Sequence, residues 1–451
     1  MFSTTDTIVA IATPQGRGGI GVVRVSGPQA GDIARALTRR GEPLAARHAT
    51  LVPVSAGGAT IDRAVLTFFP APHSYTGEDV LEISAHGSPV LLRAIVEAAM
   101  TAGARLAEPG EFTLRAYLHG RLDLVQAEAV RDLVDAVTPL QARAAFDQLE
   151  GTLTTRIREV DALLFDLSAR LEASLDFSEE GYHFVAAEGA AAEIARVIAA
   201  IDELLADARR GRLVREGAQV AIVGRPNAGK SSLFNQLAGA GRAIVTAIPG
   251  TTRDLLTETI DIDGIPMTVV DTAGVRGGEV DVVEAEGITR AHSARRVADL
   301  TLLVLDGSAP LTPDDRELLE VTRSSPRVII VNKVDLGRAW ARDELAASGA
   351  IAISALTGEG LPSLRQAVVR ALGGGEARRD RPAITNARHA DLLARARAAL
   401  ERAAGEAARG TPEEFVAADV TEARVLLEQV TGSRTPDDVL HEIFSKFCIG
   451  K

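Results

Sequence analysis

The segment Gly224-Arg225-Pro226-Asn227-Ala228-Gly229-Lys230-Ser231 has the glycine and lysine spacing of a loop that wraps a phosphate chain. An apolar run at 219–223 precedes it, and a helical stretch at 232–237, opening on Ser232, follows. Strand, loop and helix in that order make a chance glycine-rich turn a poor alternative. Small residues let backbone N–H groups close on oxyanions, and a helix N-terminus adds partial positive charge. Lys230 is expected to reach the outer phosphates and serve catalysis, and the Ser231 hydroxyl to bind magnesium.

Further stations follow at the ends of apolar runs. Asp271-Thr272-Ala273-Gly274 closes a strand at 267–270, where Asp271 would hold magnesium through water and the Gly274 N–H would sense the last phosphate. Asn332-Lys333-Val334-Asp335 closes a strand at 328–331. A carboxylate at Asp335 can accept from both N1–H and the exocyclic amine of guanine. Adenine lacks that donor pair and would strand the acceptor, so the set selects GTP over ATP. Ser354-Ala355-Leu356 ends another strand and could support the base. Between the first two stations, Gly250-Thr251-Thr252-Arg253-Asp254 offers a threonine hydroxyl to magnesium, and Thr252 is the expected donor.

A Ras-like enzyme orients water with a glutamine just after the Asp271–Gly274 segment, but that position is Val275. An apolar side chain cannot orient water, so other groups must complete the site. Arg253, Arg276 and a monovalent cation near Asn227 are the candidates for the missing positive charge, although most surface arginines merely solvate a face.

Three textures along the chain would position these residues. Residues 1–118 carry short β-type runs at 7–13, 19–26, 64–69 and 80–85, with one helical stretch at 89–102. In the last of those strands Leu81, Ile83 and Ala85 should face a core, leaving Glu82 and Ser84 on the opposite face. Residues 119–213 take a helical period through Ala145, Leu149, Leu153, Ile157, Val160, Leu164, Leu167, Leu171 and Leu175, and again through Ile194, Val197, Ile201 and Leu205. From 219 to about 372 strand and helix alternate as in a parallel sheet. Residues 373–381 read as a linker, and 384–451 are helical again.

The expected fold is therefore multidomain, α/β and all-α. A phosphate-loop nucleotide domain (214–375) is inserted in a helical domain (119–213 and 376–451), after an α+β domain at 1–118. The 451 residues exceed one ordinary core, and 46% hydrophobic with 24% charged residues is a soluble composition. No apolar run approaches the roughly 20 residues that cross a bilayer, and no signal or transit pattern opens the sequence, so no membrane is expected. A single cysteine, Cys448, excludes an internal disulfide, and the expected location is cytoplasmic. A net charge of −12 argues against gripping nucleic acid by charge alone, while leaving room for a local basic patch or a partner that supplies one. His73, His86 and His119 lack partners at metal-ligand spacing, so no zinc is expected.

Taken with the segment Ile244-Val245-Thr246-Ala247-Ile248-Pro249-Gly250-Thr251-Thr252-Arg253-Asp254 and the tail Phe447-Cys448-Ile449-Gly450-Lys451, the phosphate loop resembles the tRNA modification GTPase MnmE (TrmE) family over the whole chain. The tail discriminates most, because related GTPases such as Era and Der lack it. The resemblance implies a folate-binding-like and dimerising N-terminal domain, and a homodimer working with an MnmG-like FAD protein as a heterotetramer. It implies a carboxymethylaminomethyl or aminomethyl group placed on carbon 5 of the wobble uridine of certain tRNAs. The one-carbon unit would come from a tetrahydrofolate derivative of 5-formyl or 5,10-methylene type.

By the same resemblance the GTPase domains pair across potassium, which replaces an arginine finger. Asn227, Thr246, Ile248 and Thr251 would supply its ligands, with Ala247 and Pro249 lining the nucleotide. Glu284 matches the acidic residue that orients water, with Glu286 close by as an alternative register. Arg24, Glu82, Arg121 and Lys451 match folate-binding positions, and Arg121 stands where lysine is often found. Two other readings compete. A ribosome-assembly GTPase should show a Gly-x-x-Gly segment in a basic C-terminal domain or a second phosphate loop. A stand-alone folate enzyme should show a dinucleotide fingerprint. The sequence has neither feature.

Overall fold

The computed structural model describes residues 5–176, 187–240, 257–270, 298–337, 339, 349–373 and 384–450. They form two compact units, each discontinuous in sequence: Met1–Arg131 with Gln148–Asp161 and Arg424–Lys451, and Asp132–Asp147 with Ala162–Ala423.

The first unit is built on a six-stranded sheet of β1 (Ile8–Ile11), β2 (Gly18–Ser26), β3 (Thr50–Ala56), β4 (Ala59–Phe69), β5 (Val80–Gly87) and β6 (Arg105–Leu106), ordered β3-β4-β5-β2-β1-β6. Strand alternation sorts its side chains. Val9, Val23, Val25, Leu81, Ile83 and Ala85 enter one core layer with the helices Ala30–Thr38 and Pro89–Thr101. Ile8 and Ala10 face the other way, onto Ala107 and Phe112. Glu82 and Ser84 stand on the face opposite Leu81, Ile83 and Ala85, as the alternation predicts.

Four elements here, the two-residue strand β6 among them, differ from the sequence expectation of a single helical stretch among four strands. The helix Ala30–Thr38 buries Ala30, Ile33, Ala34, Leu37 and Thr38, but only Ile33 and Leu37 among them are large and apolar, too few to stand out as a period. The eight-residue helix Glu111–Leu118 is shorter still. β3 carries Pro53, which argues against a strand in sequence, yet β3 is an edge strand, where a missing N–H costs no ladder bond.

The helix Glu111–Leu118 carries Arg115, which is 1% exposed and therefore must be paired. Its guanidinium donates to Asp6 at 2.6 Å, Glu111 at 2.9 Å and Glu78 at 3.1 Å. Arg105 donates to the same Glu111 at 2.7 Å and to Asp6 at 2.7 Å. Burial alone would push the Glu111 carboxyl up; bonds from Arg105, the Glu108 N–H and Arg115 outweigh it and hold the carboxyl below its usual range. In the same unit, Leu114, Leu124 and Ala127 pack with Leu440, Phe444 and Phe447. Pro109 bridges Ile449 antiparallel, and Gly450 (φ 97) runs against β1 so closely that a Cβ there would strike the Ile11 carbonyl.

The second unit holds a sheet of β7 (Ala218–Val223), β8 (Thr257–Ile262), β9 (Ile265–Val270), β10 (Leu300–Asp306), β11 (Arg327–Asn332) and β12 (Ile351–Ala352), ordered β12-β11-β10-β7-β9-β8. All neighbours are parallel except β8–β9. Its central strands are apolar on both faces, as a covered parallel sheet requires. Leu233, Leu237, Leu364 and Val368 cover one face, and Leu318 the other. The helices Ala187–Leu205 and Ala387–Arg409 pack together in this unit. The helical run expected through Ala145–Leu175 is broken at Gly151 into Pro139–Leu149 and Thr152–Asp176.

Candidate functional site

The phosphate loop leaves β7 at Val223 and enters the helix Lys230–Ala240, which begins two residues earlier than the sequence pattern suggests. Lys230 is thus in the first turn and folds back, donating to the carbonyls of Gly224 and Arg225 at 2.9 Å each. Asn227 takes a left-handed conformation (φ 61) and is exposed, as are Ser231 and Ser232; Ala228 is buried. Gly229 has φ 96, and a Cβ on it would collide with the side-chain amide of Asn332. That close approach needs a glycine.

Asn332 ends β11 and is 2% exposed. Its Nδ2 donates to the Ala228 carbonyl at 2.9 Å, and its Oδ1 accepts from the Ala355 N–H at 2.9 Å. One buried side chain therefore joins the phosphate loop to the segment after β12. Ser354, fully buried, accepts through Oγ from the N–H groups of Leu356 and Thr357 at 3.3 and 3.1 Å. Leu356 itself is exposed. Lys333 (φ 67) leads into a 3-10 turn, Val334–Leu336, whose Asp335 carboxylate is exposed. The Lys333 ammonium donates to Asp306 at 2.7 Å.

Asp306 ends β10 and was not among the residues singled out from sequence. A carboxylate closing the apolar run 300–305 was the available signal. Burial pushes its carboxyl up, but hydrogen bonds from Lys333 and Ser308 prevail and hold it below the usual carboxylate range.

The donor set fits a nucleotide triphosphate. The loop packs so tightly on Asn332 that residue 229 has no room for a side chain, a lysine ammonium lies over the loop, and the exposed carboxylate of Asp335 stands three residues beyond Asn332. Thr246, Ala247, Ile248, Pro249, Gly250, Thr251, Thr252 and Arg253 lie outside the described residues, as do Asp271, Thr272, Ala273, Gly274, Val275, Arg276, Glu284, Glu286 and Lys451.

In the first unit the structure joins two of the residues matched to folate positions. Arg24 and Glu82 are register partners on β2 and β5, and Arg24 donates through Nε and Nη2 to Glu82 Oε1 at 3.0 and 2.8 Å. The guanidinium also lies 5.2 Å from the Tyr75 ring centre and 5.8 Å from that of Phe112, two neighbours that sequence reading did not select. Arg121 is exposed beside Gly77 and His119, and shares no hydrogen bond with Arg24 or Glu82 among the described residues. Cys448 is exposed.

Two family models match the chain: "GTP-binding protein TrmE N-terminus" over residues 7–121 and "MnmE helical domain" over residues 124–448. The tRNA modification GTPase MnmE of Koribacter versatilis is 45% identical over 99% of this chain and 99% of its own. This chain belongs to the MnmE family of GTPases. The MnmE of Nitrosomonas europaea, 43% identical over all of both chains, agrees. The helical-domain match spans residues 124–448, the nucleotide segment included. Among solved structures, the G domain of the T. maritima FeoB iron transporter aligns with 28% identity over 34% of this chain and 98% of its own, at a TM-score of 0.27. Among the described residues of this MnmE-family chain, no helix is long and apolar enough to cross a membrane.

Proposed function

We propose that this GTPase uses GTP hydrolysis to drive modification of carbon 5 of the wobble uridine of certain tRNAs. It does so as a cytoplasmic homodimer joined to an MnmG-like FAD protein in a heterotetramer, with a tetrahydrofolate derivative as one-carbon donor. The observation that carries the nucleotide part is the Asn332 staple, since, three residues before Asp335, it ties the phosphate loop to the Ser354–Leu356 segment. In this reading residues 214–375 are the GTPase domain, 1–118 the folate and dimerisation domain, and 119–213 with 376–451 the helical domain.

Each residue has a task. Lys230 turns from the Gly224 and Arg225 carbonyls toward phosphate oxygens. Asp335 accepts the two guanine donors, and Ser231 and Thr252 hold magnesium. Asn227, Thr246, Ile248 and Thr251 hold potassium, and Glu284 orients the attacking water. The two cations, when bound, offset negative charge building on the phosphate oxygens. Arg24 and Glu82 suit folate chemically: a carboxylate can read the pterin donor edge and a guanidinium can pair with the glutamate tail.

GTP turnover in potassium chloride against sodium chloride, at equal ionic strength, tests the cation-dependent pairing. Turnover should be much faster in potassium, and equal rates would remove that mechanism. Mass spectrometry of wobble uridine in cells lacking this protein tests the tRNA role, and unchanged modification would end it.

A further inference from the structure

The end of β10 and the end of β11 are tied together beyond what strand pairing needs. Asp306 and Asn332 are register partners, and the Gly307 N–H donates to the Asn332 carbonyl at 2.8 Å. The Asp306 carboxylate divides its two oxygens between two jobs. Oδ1 accepts from the Ser308 N–H at 2.9 Å and from its hydroxyl at 2.6 Å, which fixes the carboxylate plane. Oδ2 accepts from the Lys333 ammonium at 2.7 Å.

An exposed lysine–carboxylate pair would contribute little. This one differs because the Asp306 side chain is 11% exposed and already oriented by Ser308, so little freedom remains to be lost. Its partner occupies a costly backbone step. Lys333 is left-handed, a conformation uncommon for residues with a Cβ, and it separates the buried staple Asn332 from the turn that carries Asp335.

We infer that Asp306 is a positioning residue for guanine-nucleotide recognition: its bond to Lys333 holds the left-handed step from which Asp335 is presented. Asp306 does not touch the base in this scheme. It acts by having the turn already formed when nucleotide arrives, which removes an ordering cost from binding. The inference rests on Asp335 reading guanine.

The test is calorimetric titration of the full-length protein, with magnesium, by GDP and by GTP. The variants are Asp306→Asn, Lys333→Ala and the two combined. Asp306→Asn keeps the shape and an acceptor for Ser308 but removes the charge. It should weaken both nucleotides by roughly tenfold to a hundredfold, with turnover at saturating GTP little changed. In the Lys333→Ala background the same substitution should cost almost nothing more, because its route of action is gone. Partial unfolding would lower the number of sites titrated rather than the affinity of those remaining, so stoichiometry separates the two. Unchanged affinity in Asp306→Asn, or a full further loss in the Lys333→Ala background, would overturn the inference. If the unaltered protein binds neither nucleotide, the proposed function fails first, a result distinct from either.

Discussion

Asn332 and Ala228 lie 104 residues apart in sequence, yet the Asn332 side-chain amide donates to the Ala228 carbonyl at 2.9 Å in a buried setting. Through its other atom the same side chain receives the Ala355 N–H. The phosphate loop is thus held from behind by the strand whose next residues are expected to read the base.

Replacing Asn332 with alanine leaves the Ala228 carbonyl and the Ala355 N–H without their partner. At about 1–3 kcal/mol for each orphaned buried group, the nucleotide-free protein should melt at a clearly lower temperature. Calorimetric melting checks this, and an unchanged transition would show that the staple is energetically idle.

Asp335→Asn exchanges two acceptor oxygens for one acceptor and one donor. GTP affinity should fall by about a hundredfold or more, and xanthosine triphosphate, whose edge offers the complementary acceptor, should become the better ligand. Competition between the two nucleotides for the variant reads the switch directly.

Arg24→Ala removes the guanidinium held by Glu82 and flanked by Tyr75 and Phe112. Binding of a reduced folate should weaken by roughly tenfold or more while GTP turnover stays at its original rate. Fluorescence titration with the folate and a phosphate-release assay give the two readings.

Glu284→Ala should slow single-turnover GTP hydrolysis by about a hundredfold while leaving GTP affinity intact. Loss of affinity instead would assign Glu284 to binding, and an unchanged rate would turn attention to Glu286.

Acid should loosen the first unit through Glu111. Its folded-state carboxyl lies below the usual value of 4.5, because bonds from Arg105, Glu108 and Arg115 outweigh the effect of burial. A carboxyl depressed by folding adds stability above its unfolded value and loses that share as pH falls toward the folded value. The melting temperature should therefore drop as pH falls below 4.5. Glu111→Gln should be less stable at neutral pH by about 3 kcal/mol and flatter across the acid range.

What could be read from sequence followed the strength of local pattern. The phosphate loop was legible because an apolar strand, the Gly224–Ser231 spacing and a helix had to occur in one order. Glu82 was legible as a side chain facing away from the core because Leu81, Ile83 and Ala85 alternate around it. Its bond to Arg24 was not, since that depends on β2 pairing with β5 across a long connection. β3 was hidden by Pro53, whose meaning depends on the strand being at an edge. Asp306 was hidden for a similar reason: only the β10–β11 register brings it to Lys333.

The contact of Pro109 with Ile449, and of Gly450 with the end of β1, has a consequence for synthesis. The sheet of the first unit can form early on the ribosome, but Leu440, Phe444 and Phe447 do not yet exist to cover Leu114 and Leu124. Until translation has passed through the whole second unit, those apolar side chains stay bare, so the nascent chain carries an open seam for most of its elongation.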